Sequence, residues 1–236
     1  MSLVKINYCQ MVEDDLESPF SLDGIGFEPE LLYNSVSKDA VYQKCPAWKH
    51  KASRTFLIKS PVDIDLYVDV QNQRLSSLKL NQWQFDKYCN PTFLVPWCTR
   101  EKTTIQLSIP RFLFWTDKKN VWIETKPHFN TALKNNLISI PGWFNLSNWT
   151  RPIAATFDVI NPNNPIIINR GDPLFEISFF PNNLDDGILL KKSHPPEKIL
   201  DKWRKTSEIK NYLKDYSKHF LFKTQKSKCP FEFLWK

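Results

Sequence analysis

The stretch VDIDLYVDV, Val62 to Val70, alternates apolar and polar side chains without a break. Successive residues of an extended chain point to opposite faces. The pattern therefore predicts a strand with Val62, Ile64, Leu66, Val68 and Val70 on a core and Asp63, Asp65, Tyr67 and Asp69 in water. Short segments of similar character recur at 54–59, 92–97, 103–109, 112–116, 121–126, 137–140, 154–160, 165–169 and 174–180, rich in β-branched and aromatic residues and punctuated by prolines. Strands in succession without intervening helices predict a mainly β fold, a double-sheet sandwich or jelly roll.

Within this series lies IINRGDPLFEISFFP, Ile167 to Pro181. Arg170-Gly171-Asp172 has the form of a cell-adhesion tripeptide. Strand patterns on both sides place it instead in a tight connection, where Gly171 supplies backbone freedom and Pro173 delays the pairing of the next strand.

The net charge of +7 is unevenly spread. Residues 191–236 hold 13 Lys+Arg against 5 Asp+Glu, and the remaining chain holds 19 against 20. A uniform basic face on the main body is thereby excluded. The chain divides into an N-terminal segment (1–40), a β-sandwich or jelly-roll domain (41–190) and a basic helical appendage (191–236). In the appendage Ile199, Leu200 and Trp203 form one helical stripe and Ile209, Tyr212, Leu213 and Tyr216 a second, with a division expected at Thr206-Ser207. The stripes predict short helices packed across the sandwich, lysines outward.

There is no apolar run of membrane-spanning length, and acids follow the N-terminus where a signal peptide needs an apolar stretch. A membrane role and secretion are not expected, and a cytoplasmic place is. Five cysteines, Cys9, Cys45, Cys89, Cys98 and Cys229, without a C-x-x-C pair speak against a disulfide framework or a zinc site of usual spacing. Gly-x-Ser-x-Gly and glycine-rich phosphate loops are missing, and no cofactor is implied. None of the four histidines carries the His-x-Asp/Glu or His-x-His pair that a barrel metal site needs. The weak metal candidates are therefore Asp63, Asp65, His50 and His128. The best binding candidates are Trp143, Asn145, Asn148, Trp149 and Arg151, an aromatic and amide-rich stretch expected to be a loop whose flat rings could stack on a ligand. Nearby aromatics such as Trp115 and Trp122 are expected in the core.

Lys44-Cys45-Pro46-Ala47, the run 55–61, the run 110–115, Trp149-Thr150-Arg151-Pro152, the run 155–158 and Arg170-Gly171-Asp172-Pro173-Leu174-Phe175 resemble a group of tailed-bacteriophage proteins related to a bacterial domain of unknown function. The resemblance spans about residues 40–181 and implies a viral gene and a β-rich fold, but no activity. A second likeness, in the layout of the final strands, is to the trimeric deoxyuridine triphosphatases. Their glycine-rich phosphate motifs and Tyr-rich substrate hairpin are missing here, so it implies shared layout rather than shared chemistry.

These observations together predict a noncatalytic viral sandwich, virion-associated or acting on the host, with a viral or host protein as partner. The alternatives are a small-molecule or metal-dependent jelly-roll enzyme whose site is assembled from distant residues, and a nucleic-acid binder acting through the basic residues 195–236. The oligomeric state is left open.

Overall fold

The computed structural model describes residues 2–11, 20–21, 26–37, 39–69, 71–72, 74–88, 103–108, 110–154 and 156–208. Fifteen strands and five α-helices follow one another as β1 (Leu3–Met11), β2 (Phe20–Ser21), β3 (Glu30–Leu31), α1 (Leu32–Ser35), α2 (Pro46–Ala52), β4 (Thr55–Lys59), β5 (Ile64–Asp69), β6 (Arg74–Ser76), α3 (Gln82–Tyr88), β7 (Thr103–Gln106), β8 (Arg111–Trp115), β9 (Trp122–Pro127), α4 (Phe129–Asn135), β10 (Leu137–Ser139), β11 (Gly142–Asn145), β12 (Thr156–Val159), β13 (Ile166–Ile168), β14 (Pro173–Phe180), β15 (Gly187–Lys192) and α5 (Glu197–Glu208). A 3-10 turn, Val41–Lys44, precedes α2. The fold is mainly β, as the alternating segments require.

Among the described residues four sheets surround one core. The largest has the order β11-β9-β14-β4-β3, all antiparallel. A second holds β1 between β15 and β8, with β2 at its end. β10-β12-β7 and β13-β5-β6 complete the set. Phe56, Ile58, Ile64, Leu66, Phe114, Ile123, Phe175, Ile177 and Phe179 are buried in the shared core. Phe179 meets Phe114 and Phe56 edge-on at centroid distances of 5.4 and 5.9 Å, a geometry that aligns the positive ring edge with the negative face.

The far side of the β1–β8 pair is covered by α5. Ile199, Leu200 and Trp203 pack there on Cys9, Met11, Leu113 and Trp115, so the predicted apolar stripe is the docking face. The helix does not divide at Thr206-Ser207 but runs to Glu208. The second predicted stripe, 209–216, lies outside the described residues, as do the candidate strand 92–97 and Cys89, Cys98 and Cys229.

The expected corner is present. Asp172 N–H donates to Asn169 O at 2.9 Å, and Gly171 has φ +89°, which glycine adopts without Cβ strain. Ser60 clasps the turn twice, accepting from Gly171 N–H at 2.8 Å and donating to Asp172 O at 2.9 Å. Asp63 accepts the Arg170 N–H at 2.7 Å, and the Arg170 guanidinium lies 5.7 Å from the Phe27 ring centroid. Pro173 opens β14 directly, with a register irregularity before Phe175.

Two parts of the sequence reading are corrected. Asp65 is not on a solvated face: it is 3% exposed and accepts hydrogen bonds from the Ser77 hydroxyl at 2.6 Å and from the Leu78 and Lys79 N–H groups at 3.0 Å each. Leu3–Met11 belongs to the β body, paired with β8 and, in parallel, with β15.

Candidate functional site

The main sheet has two unlike faces. Phe56, Ile58, Ile123, Ile177 and Phe179 point to the core, so their alternates Leu57, Lys59, Glu124, Lys126, Glu176 and Ser178 share the outer face. The register sets Glu176 directly beside Leu57 on one side and Lys126 on the other. Lys126 Nζ and Glu176 Oε2 form an ion pair at 2.7 Å, and Lys59 pairs with Glu30. Glu176 is 8% exposed, a carboxylate retained at depth because its counter-charge sits on the next strand.

Residues 32–37 and 39–52 form a cap over this face. Its anchor is the end of α2, where Ala52 is buried and Lys51 O accepts the Thr55 hydroxyl at 2.9 Å. Arg54 adds a second tie, donating from Nε to His50 O at 3.1 Å and from Nη2 to Leu184 O at 2.6 Å. The cap and the sheet enclose a cleft of about 740 Å³. Leu32, Tyr42 and Trp48 form its apolar wall, and Lys51, Lys59, Lys126, His128 and Glu176 its polar floor. Gly171 and Pro173 reach its edge, so the Arg170-Gly171-Asp172 corner frames the cleft.

The electrostatics of the floor are coupled. Lys51 and Lys126 line the same floor, and the Lys126 charge, aided by burial, lowers the Lys51 pKa below its ordinary value. Glu124 and Glu176 oppose this shift without cancelling it. His128 is 5% exposed, and among the described residues its Nδ1 has no hydrogen-bond partner. Burial lowers its pKa, Glu176 pulls it back up and Lys126 adds to the depression, so the imidazole stays neutral below the pH at which a solvated one charges. A neutral imidazole beside a carboxylate and a polarised amine is able to take up and return a proton.

Of the four metal candidates, His128 alone reaches this cleft. His50 Nε2 lies 3.0 Å from Leu184 O and 2.6 Å from Arg54 Nη2, Asp63 holds the Arg170 amide, and Asp65 organises residues 77–79. Among the described residues no three His, Cys, Asp or Glu side chains gather as a metal site.

The binding candidates fall elsewhere. Gly142–Asn145 is a strand rather than a loop. Trp143, 47% exposed, tilts against Phe180 at 5.0 Å and stacks on Trp122 at 5.9 Å. Asn145 is buried and accepts the Ser147 N–H at 3.0 Å, shaping the turn that follows. Trp149 packs on Phe144 at 4.4 Å, and burial lowers the pKa of Arg151. Asn145, Asn148 and Trp149 line a second cleft of about 560 Å³ against α5, with Lys118, Lys119, Lys198 and Lys202; Trp143 and Arg151 do not line it.

Lys51, Lys126 and Glu176 were not candidates from sequence. Each stands at a polar position of an amphipathic element, where a solvated face is the ordinary meaning, and only the register of β4, β14 and β9 shows that they converge.

No family model and no curated protein matches the chain. Among solved structures it is similar to a dUTPase of Staphylococcus bacteriophage 80alpha, at 9% identity over 81% of this chain and 89% of that one, with TM-score 0.37. The dUTPase of S. aureus phage phi11 is similar at 10% identity over 81% and 97%, TM-score 0.37. The EIAV dUTPase follows at 12% over 61% and 82%, TM-score 0.32. The similar structures are those of enzymes, and the expected noncatalytic sandwich is not retained. At such identities and scores no residue role or substrate passes from them to this chain. Among the described residues no helix is long and apolar enough to cross a membrane.

Proposed function

We propose that the protein is an enzyme acting on a small molecule held in the cleft between the cap and the outer face of the main sheet. The observation that carries this reading is His128: a buried imidazole whose Nδ1 has no partner among the described residues, at the floor of a cleft, within the fields of Glu176 and Lys126. A buried polar atom without a partner costs free energy, and such costs concentrate where a bound molecule completes the bonding. His128 serves as the proton-transfer group, Glu176 stabilises its charged form, and Lys126 orients Glu176. The motif resemblance to tailed-phage proteins supports a phage gene, and the host cytoplasm is the proposed place of action.

The test is a turnover screen of the full chain against small phosphate esters, carboxylate esters, amides and isomerisable carbonyl compounds, repeated with His128→Gln. The expected result is turnover that His128→Gln lowers by about 10²-fold or more, the usual contribution of acid–base catalysis. In the wild type the rate should fall only below pH 6.5, the ordinary histidine value that burial depresses here. A flat screen, or a His128→Gln protein as active as the wild type, overturns the proposal.

A further inference from the structure

We infer that the molecule held in the cleft is a flat or aromatic compound bearing a phosphate-like dianion, with the dianion between the Lys51 and Lys126 amines and the ring against Trp48 and Tyr42. The inference rests on the enzymatic reading above and adds the substrate class to it.

The charge pattern selects the dianion. Lys126 and Lys59 each have a carboxylate partner, Glu176 and Glu30. Lys51 is exposed and, among the described residues, has no carboxylate within ion-pair distance, yet it shares the floor of the cleft with Lys126, whose charge acts on it. Two such cations repel unless one loses its proton or an anion enters between them. The groups acting on Lys51 are Lys126, Glu124 and Glu176, and the two carboxylates leave the repulsion uncancelled. A group with two negative charges and several acceptor oxygens meets both amines at once; a monocarboxylate brings half the charge.

The aromatic wall selects the rest. Trp48 and Lys51 are three residues apart on α2 and therefore neighbours on its surface. A ring lying on the indole thus directs its substituent toward the Lys51 amine. Tyr42 crosses Trp48 edge-on at 5.2 Å and Tyr33 lies at 5.9 Å, so the indole is held before any ligand arrives. Preorganised aromatic surface binds flat partners at small entropic cost.

The experiment is calorimetric titration of the full chain with phenyl phosphate, inorganic phosphate, benzoate and phenol. Phenyl phosphate should bind most tightly and inorganic phosphate next, both more weakly as salt rises. Lys51→Gln and Lys126→Gln should each weaken phenyl phosphate about tenfold or more, the scale of a charge-assisted hydrogen bond. Trp48→Leu should weaken phenyl phosphate while leaving inorganic phosphate unchanged, with Trp48→Phe restoring most of the loss. The double substitution Lys118→Gln/Lys119→Gln, in the second cleft, should change neither. The inference is overturned if neither phosphate binds, if benzoate matches phenyl phosphate, if Lys51→Gln binds like the wild type, or if the second-cleft variant loses as much as Lys51→Gln. Any of these with His128→Gln still abolishing turnover removes the dianion and leaves the enzyme; loss of the His128 effect removes the enzyme.

Discussion

Replacing Asp65 tests how the chain supports β5 and the turn after β6. The carboxylate is 3% exposed and accepts three hydrogen bonds, from Ser77 Oγ at 2.6 Å and from the Leu78 and Lys79 amides at 3.0 Å each. Burial by itself would raise the Asp65 pKa, but the Ser77, Leu78 and Lys79 donors outweigh it and hold the group below its ordinary 3.8. Hydrogen bonds to a charged group contribute about 1.5–3 kcal/mol each when their loss leaves the donors dry. Leu78 and Lys79 are exposed, so water reaches their amides once the acceptor is gone, and each bond falls toward about 1 kcal/mol. Asp65→Ala should therefore cost about 3 kcal/mol, a drop of roughly 6–12 °C in Tm for a chain of this size. Asp65→Asn should cost about 2 kcal/mol, because its amide nitrogen meets an N–H with another donor, and Ser77→Ala about 1 kcal/mol. A depressed carboxyl pKa contributes stability that is complete above pH 3.8 and lost as pH falls through the folded value. Urea unfolding at pH 7 and pH 3 reads both effects: the gap between wild type and Asp65→Ala should narrow at the lower pH. A loss under 1 kcal/mol at pH 7, or a gap that stays constant with pH, refutes the reasoning.

Phe179→Ala, which deletes a fully buried ring with two edge-on partners, should cost about 3–5 kcal/mol by urea unfolding with unchanged m. Gly171→Ala forces a side chain into φ +89° and should lower stability by about 1–2 kcal/mol, read by calorimetry. Lys126→Ala leaves Glu176 buried without its counter-charge and should cost about 3–5 kcal/mol, whereas Glu176→Gln/Lys126→Ala should recover much of it. Because His128 is neutral when buried and its folded pKa is lowered, stability should begin to fall as pH drops below 6.5, and His128→Gln should remove that portion of the acid dependence in a thermal titration.

Alternation made the body of the fold readable. Ile64, Leu66, Ile177 and Phe179 are buried as their positions require, and the Arg170-Gly171-Asp172 corner follows from the strands on either side of it. β1 was harder: Val4, Ile6 and Tyr8 face the core, but Cys9 and Met11 are buried on the opposite face beneath α5, which breaks the two-faced pattern. β15 is similar, since its Lys191 and Lys192 read as the start of a basic tail although both pair with β1. Asp65 looked solvated because acidic alternation carries no sign of the three donors folded over it. The cleft was the least legible part. His128 stood out as one of few histidines, but its neighbours come from α2, β9 and β14, and no local spacing announces a site assembled by sheet register.

The parallel pairing of β1 with β15 joins Leu3–Tyr8 to Gly187–Lys192, while the other pairings among the described residues are antiparallel. During synthesis the first strand therefore emerges long before the strand that closes its edge, and closing so long a loop is slow. Until residue 192 has left the ribosome, β1 presents unpaired amides and carbonyls along its outer side, the surface on which nascent chains associate wrongly. A chain stopped before Gly187 keeps that edge open, so β15 acts as a seal on β1.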